Sequence, residues 1–542
     1  MDVNTTTVGI DRPSMLAAVQ HSLLARVIVT VVVVCVCTRI LSSHWFHSIR
    51  NSKGHNVMPP TVPYWIPGLK HAFHLAFYSK TFMGNCLKKY GDGTPFILDG
   101  AGQKMCIIVD PDHIKNAIRS AKEMDPNPFI HERIMGALMG SPQSAINYYQ
   151  SEESNTDYIQ TTHIRHHTTG SNLGLLDTRM FETLKRTIGE TLDSTGEWTE
   201  IPDLFSFLRY HVTYAVAITI LGTELVSTYP DLIADLWTHI EATDQFFLGL
   251  PRIAIPKAYA ARDRLLGNFR VWSTKSMELR KQNKTDTVWD PVAGSGLAQE
   301  REELYSELPG HDEYARSAQT LGLLYGGTSL SVPITFWYVY ETLRSTDLNT
   351  RILGEINKHA DPKTQSYRFT QLTTRPLLQS LHAETTRLYS SNLTVRSVTT
   401  PSFALDEKYS IPQGTAVFIP NKWAGMFAPG WEKTRTEALA RPLHTFWAER
   451  FLVSDGEKKE RFSDAGLSST WMSFGGGEHK CPGRHFARNI GIVTLTVVMG
   501  VFEVEICDVE GARRLDPDPR EKGFGTLVPR GKVAARIRRR VD

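Results

Sequence analysis

Several common machineries are missing from this chain of 542 residues. It has no Walker loop and no Gly-x-Gly-x-x-Gly fingerprint, and Gly294-Ser295-Gly296-Leu297 stops short of one, so neither a phosphate cradle nor a dinucleotide module of its own is encoded. No segment recurs at a fixed period, which excludes solenoids and propellers. Only six cysteines are present, scattered, with Cys35 and Cys37 near the N-terminus. They give no disulfide framework, as suits a reducing compartment. Charge is nearly balanced, at +3, which argues against a nucleic-acid partner. The basic run Arg536-Ile537-Arg538-Arg539-Arg540 reads as a charged strand edge or a solvated end.

Apolar residues make up 41% of the chain, ordinary for a globular protein, but their first concentration is not a core. From Met15 to Leu41 the sequence is mostly apolar, centred on the run Val27 to Cys37 and flanked by Arg26 and Arg39. With Leu23, Leu24 and Ala25 it approaches the ~20 residues needed to span a bilayer, provided Arg26 snorkels. A cleaved signal peptide is disfavoured because no small-residue cleavage site follows and the next segment is basic. Arg39, Arg50 and Lys53 after the span place the larger part of the chain on the cytosolic side, with a lumenal N-terminus carrying the sequon Asn4-Thr5-Thr6. Pro59, Pro60, Pro63 and Pro67 then read as a stiff hinge. The expected division is residues 1–54 for N-terminus, anchor and basic flank, and 55–542 for one catalytic unit.

The chemistry concentrates at Phe474-Gly475-Gly476-Gly477-Glu478-His479-Lys480-Cys481-Pro482-Gly483-Arg484, a glycine-rich turn carrying one cysteine just before an apolar helix. A thiolate is a soft ligand whose pKa falls beside cations and helix N-termini, and Lys480, Arg484 and Arg488 supply charge. A buried cysteine in a glycine loop is the plain alternative; a zinc site of His479, Cys481 and His485 would need a fourth ligand from elsewhere. The segment resembles the haem-binding signature of cytochrome P450 enzymes at Phe474, Gly477, His479, Cys481 and Gly483. Two further motifs share the resemblance. Glu384-Thr385-Thr386-Arg387 has the Glu-x-x-Arg spacing that puts both side chains on one helix face. His444 to Leu452 resembles the family's Pro-Glu-Arg-Phe segment, with Ala448 in place of proline. Glu384, Arg387 and Arg450 are then the expected structural triad. The resemblance covers residues 55 to 542.

A coarse pass predicts a mainly helical fold with a small β portion. His74 to Tyr90 reads as a helix, and Phe96 to Leu98 and Met105 to Val109 as paired strands across Gly100-Ala101-Gly102. Ser141 to Gln160 and Asn283 to His311 read as polar loops or insertions, the first at the family's substrate-access position. The helix Leu321 to Trp337 is apolar all round, and Pro333 predicts a kink at Gly326 to Ser329. Where the family carries an acid and a threonine for proton delivery, this chain has Ser329 and Leu330. Ser331, or a water held by the freed carbonyl, is the candidate substitute. That departure, together with Val332 to Trp337 and Glu384 to Arg396, resembles the branch containing bile-acid sterol hydroxylases and prostacyclin synthase. The wording around Cys481 is similar to fungal members.

The resemblance implies haem b with Cys481 as axial ligand, and Arg396 and His479 as partners of its propionates. Ser391, Asn392, Leu393 and Thr394 would line the pocket. The family's Trp-x-x-x-Arg pattern, which often helps to hold a haem propionate, is absent near 161–175; His163, Arg165, His166 and His167 are candidates there, each more often a surface residue. It further implies an endoplasmic-reticulum membrane anchor crossing once, a separate NADPH–cytochrome P450 reductase supplying electrons, cytochrome b5 as a further candidate donor, and a hydrophobic polycyclic substrate such as a sterol or terpenoid. A reductase-independent isomerase or dehydratase acting on a peroxide or oxime, and a non-catalytic haem-binding or membrane scaffold, are the rivals.

Overall fold

The computed structural model describes residues 12–154, 156, 158–192, 196–361, 366–454, 460–517 and 525–540; the sequon at Asn4 lies outside them. Helix α1 (Arg12–Asn51) begins the fold. Its stretch Ala25–Asn51 contains an 18-residue window of mean hydropathy 2.1 and is long and apolar enough to cross a membrane. The last turns of α1 are not free. Phe46 is buried against Tyr90, with ring centroids 4.8 Å apart, and the Ser42 hydroxyl donates to the Tyr64 carbonyl at 3.2 Å while accepting from the Tyr64 N–H at 3.1 Å. Packing therefore crosses the expected boundary at 54/55, and the proline segment is docked along this contact.

A five-stranded sheet follows, with strands β1 (Phe96–Gly100), β2 (Gln103–Ile107), β3 (Met124–Asp125), β4 (Leu393–Val398) and β5 (Ala416–Pro420) in the order β1-β2-β5-β4-β3. Phe96 faces Ile107 across the first hairpin, two residues short of the expected Val109 end. Only β5 and β2 run parallel; the late strands thus insert between the early ones and join the two ends of the chain.

Helices form the bulk. Helix α2 (Leu204–Leu221) is apolar enough to resemble a membrane span, but it is largely buried in the body. At the centre run α3 (Glu313–Thr328), α4 (Ser331–Leu343), α5 (Pro376–Tyr389) and α6 (Arg484–Thr496). Trp337 of α4 stacks flat on Tyr389 of α5, with centroids 4.1 Å apart and planes 3° apart, and its indole N–H donates to the Leu527 carbonyl at 2.7 Å. Beside it, burial raises the Glu341 carboxyl to about 7 despite the neighbouring Arg344.

One expectation is met and two are corrected. The long helix breaks at Ser329 and Leu330, at the end of the expected Gly326–Ser329 segment: the Ser329 N–H still donates to Tyr325 at 2.9 Å, and α4 restarts after Leu330 (φ −102°). Pro333 has no N–H for the Ser329 carbonyl, so regular bonding persists until that donor is missing. The polar stretches are not loops throughout. Gln143–Tyr149 is helical, and the 283–311 stretch contains the Trp289–Asp290/Gly294–Ser295 hairpin and the helix Gly296–Ser306. Its polar groups are buried in pairs: the Gln299 amide donates to the Asp286 and Gly294 carbonyls at 2.8 Å each. Finally, the basic tail is no edge. Ala535–Arg539 is the middle strand between Phe502–Ile506 and Thr199–Ile201, with Arg536 and Arg538 paired to Glu505 and Glu503 across the register.

Candidate haem-thiolate site

The loop before α6 is built from short-range contacts. The Cys481 N–H donates to the Phe474 carbonyl at 2.9 Å, closing the loop, and the Gly475 N–H donates to the Met472 carbonyl at 2.8 Å, closing a tight turn at its start. Gly475 and Gly477 sit at φ +70° and +66°, and a Cβ on Gly477 would lie 2.9 Å from the Ile118 carbonyl oxygen. Two amides fix the loop's entrance from outside: Asn392 donates to Ser473 at 3.0 Å, and Asn421 to Met472 at 2.9 Å. Phe474 stacks on His382, with centroids 5.8 Å apart.

Cys481 is a free thiol, partly buried. The expected fall in its pKa is not what its surroundings produce: burial pushes the thiol up, against the Gly483 backbone hydrogen bond and the Arg484 charge. Lys480 is exposed, and Arg488 is engaged with the Asn489 side chain at 3.3 Å. His485, far from serving as a charged neighbour, is held at about 4 by burial and by Arg484, Arg488 and Lys480. His479 is half-buried beside the loop.

Arg396 on β4 reaches this loop. Its guanidinium donates to the Val395 carbonyl at 2.9 Å and to the Gly476 carbonyl at 3.4 Å, yet among the described residues no carboxylate lies within ion-pair distance. Only 5% of the residue is exposed, and burial lowers its pKa to about 10. The charge of Asp125 offsets only part of this burial and makes no ion pair with it, and a carboxylate-bearing ligand lying over the Cys481 loop would supply a direct partner. Space exists as well. Gly326 of α3 is exposed although its helix runs through the centre of the body, and neither it nor Gly483 would bring a Cβ within 4 Å of any other atom. The residues present thus fit a flat dicarboxylate macrocycle ligated by sulfur.

Glu384, Arg387 and Arg450 are brought together. Arg387 grips both carboxylate oxygens of Glu384, at 2.7 and 2.8 Å, and the Arg450 Nε donates to one of them at 3.0 Å. All three side chains are fully buried. Arg450 spends its remaining donors on the carbonyls of Ala438, Arg441, Pro442 and Thr445, and Trp447 N–H completes the carboxylate at 3.0 Å. Ala448 at the family's proline position is buried, and its carbonyl accepts from Ser380 at 2.5 Å.

Across the fold, Ser329 and Leu330 lie half-buried at the helix break, and Ser331 is buried with its carbonyl accepting from Thr335 at 2.8 Å. Sequence reasoning missed two hydroxyls here. The Tyr325 hydroxyl is 2.8 Å from that of Thr243 and also bonds the Ser329 side chain, while Thr526 donates to the Leu330 carbonyl at 3.4 Å. Both depend on long-range contacts that no local motif encodes. Of the expected lining residues, Ser391 and Thr394 are buried, the latter's hydroxyl bonded to Asn421 at 3.1 Å. A cavity of about 950 Å³ lies elsewhere, between Leu75, Met83, Phe129, Phe247, Val398 and Phe418, and does not reach Cys481.

This fold and loop present a candidate haem-thiolate site. The cytochrome P450 family model matches residues 297–535, the span from the helix Gly296–Ser306 to the start of the final strand. The chain is 28% identical to cytochrome P450 monooxygenase fsoE of Humicola fuscoatra, over 91% of this chain and 89% of the relative, and 28% identical to efuG of Hormonema carpetanum, over 93% and 95%. It is 27% identical to the 25-hydroxycholesterol 7-alpha-hydroxylase of Rattus norvegicus, over 62% and 79%. Residues 297–535 thus carry a cytochrome P450 domain, and the chain, an oxidoreductase of the monooxygenase type, is similar to fungal P450 monooxygenases and to sterol hydroxylases.

Proposed function

We propose that this enzyme inserts one oxygen atom from dioxygen into a hydrophobic polycyclic substrate, a sterol or a terpenoid-like secondary metabolite. The observation that carries the reading is the buried Arg396, without a carboxylate partner and tied to the loop of Cys481. Haem b, bound through the Cys481 thiolate, supplies the oxygen-activating chemistry. Arg396 and His479 hold its carboxylates; Gly477 and Gly483 keep the loop close and unobstructed; Glu384, Arg387 and Arg450 fix the elements behind it. The similarity in sequence to a 25-hydroxycholesterol 7-alpha-hydroxylase supports the substrate class, and that to fungal monooxygenases supports the reaction type.

On the opposite side, the break between α3 and α4 carries the proton chemistry. Leu330 packs where the family places threonine, so the hydroxyl comes from Ser329, oriented by Tyr325, with Ser331 two residues further on at the start of α4. Helix α1 anchors the body to the endoplasmic-reticulum membrane, and NADPH–cytochrome P450 reductase, with cytochrome b5 as an auxiliary donor, provides electrons.

The test is conversion of a candidate precursor by the reconstituted enzyme under heavy dioxygen. One labelled atom in the product, with a strict NADPH requirement, is the expected result. A product of unchanged elemental formula formed without NADPH overturns it in favour of the isomerase reading, which Leu330 favours.

A further inference from the structure

Two histidines and a glutamate converge outside the Cys481 loop. His163 ends the π-helical segment Tyr158–His163, and His167 ends the α-helical turn Ile164–His167 that continues it. Four residues apart, they present one face, with ring centroids 4.6 Å apart. Glu300 comes from the helix Gly296–Ser306. Its Oε2 lies 3.3 Å from Nε2 of His163 and 2.9 Å from Nε2 of His167, and the three atoms all lie within 4.8 Å of one another. Arg165 and His166 are exposed, away from this cluster.

The arrangement has the features of a ligand set. The histidine side chains are 4% and 10% exposed, whereas that of Glu300 is 47% exposed, so the cluster is walled by protein and open on one side. Burial holds His163 at about 4, which leaves its ring in the neutral form that ligates metals. The hydrogen bonds from His167 and His163 hold the Glu300 carboxyl below its ordinary value against its own burial. Gly296 lets the backbone pass close: a Cβ there would meet the Thr287 carbonyl oxygen at 2.8 Å and His167 Cε1 at 3.5 Å.

We infer that His163, His167 and Glu300 form a zinc site, with solvent as the fourth ligand. Two imidazoles and one carboxylate are a borderline set that suits zinc and not the all-oxygen shells of calcium or magnesium. The bound ion replaces the two shared protons and staples the 158–167 segment to the 296–306 helix. The neighbouring Thr168 hydroxyl donates to the Pro482 carbonyl at 3.3 Å, so the staple braces the residue next to Cys481. The inference does not depend on the substrate class.

The test uses tag-free, haem-loaded, full-length protein dialysed against zinc, with zinc and iron counted separately by elemental analysis. One zinc per chain beyond the iron is expected, with a thermal midpoint that rises on zinc addition. Cobalt(II) in its place should give the intense visible bands of a tetrahedral site. Glu300→Gln, a near-isosteric change at a half-exposed residue, and His167→Ala should each bind at least ~10-fold more weakly. His166→Ala, exposed beside the site, should bind as the parent does, and an unchanged haem absorption spectrum verifies that each variant is folded. Absence of retained zinc in the parent, or equal retention in folded Glu300→Gln, His167→Ala and parent proteins, overturns the inference.

Discussion

Arg396 lies 3.4 Å from the carbonyl of Gly476, which ties a guanidinium on the central sheet to the loop that presents Cys481. The Val395 and Gly476 carbonyls satisfy donors but bring no negative charge, and the burial that lowers its pKa to about 10 is the energetic sign of that deficit. Arg396→Leu is therefore expected to weaken haem retention by about 10- to 100-fold, the range for a charge-assisted hydrogen bond of ~1.5–3 kcal/mol. Transfer of haem to an acceptor protein measures this directly. Arg396→Lys should recover part of the loss, since an ammonium restores charge without the planar fork. Retention equal to the parent in Arg396→Leu would reduce the residue to a strut between strand and loop.

The Glu384 carboxylate balances two buried guanidiniums, and its loss strands both. Breaking such a pair costs about 3–5 kcal/mol, so Glu384→Gln should lower the urea midpoint by a corresponding amount. Arg387→Lys should cost less than Glu384→Gln, because one cation is kept and only the bidentate geometry is lost. Circular dichroism during urea unfolding, compared between the two variants, checks the order.

The Cys481 loop and the triad were legible from the chain because their information is local or carried by short motifs: glycines at positive φ at Gly475 and Gly477, and a helix spacing of three at Glu384 and Arg387. What escaped reading depends on partners far along the chain. Nothing around Asp286 and Gly294 announces that their carbonyls will take the Gln299 amide, so a polar stretch reads as a loop although it is a buried helix. The central place of Ala535–Arg539 depends on Glu503 and Glu505 opposite it, and on Trp198, whose ring lies 4.4 and 4.3 Å from the guanidinium carbons of Arg536 and Arg538. The hydroxyls of Tyr325 and Thr526 gain meaning only when Thr243 and the helix break are brought beside them.

Asp177 adds a pH dependence. Its carboxyl is buried, accepts from Asn489 at 2.7 Å, and leaves its other oxygen without a partner, so burial raises its pKa to about 7. A folded-state pKa above the unfolded value means that the native state holds the proton between about pH 4 and 7 while the unfolded chain releases it. Stability from this group is full below pH 4 and declines as the pH rises to about 7, by on the order of 4 kcal/mol. Asp177→Asn mimics the protonated acid and should flatten that decline, giving a variant more stable than the parent at pH 7.5. Urea midpoints at pH 5 and pH 7.5 decide it: parallel pH dependence in the two proteins would show that Asp177 is ionised throughout.

Phe46 separates two roles of helix α1. Residues 25–41 expose apolar side chains such as Val29, Val33 and Ile40, whereas Phe46 is 2% exposed, packed in a cluster with Val62, Tyr90 and Phe96. A truncation ending at Leu41 removes the membrane-facing part and keeps this packing; one ending at Lys53 removes both. The first should be released from membranes with its thermal midpoint unchanged. The second should lose about 3 kcal/mol or more, the cost of deleting a buried phenylalanine from a core. Phe46→Ala in the full chain should reproduce that loss while leaving membrane association intact. Thermal unfolding of the three proteins, with flotation on vesicles, separates anchoring from packing, because only a helix serving both purposes gives one change without the other.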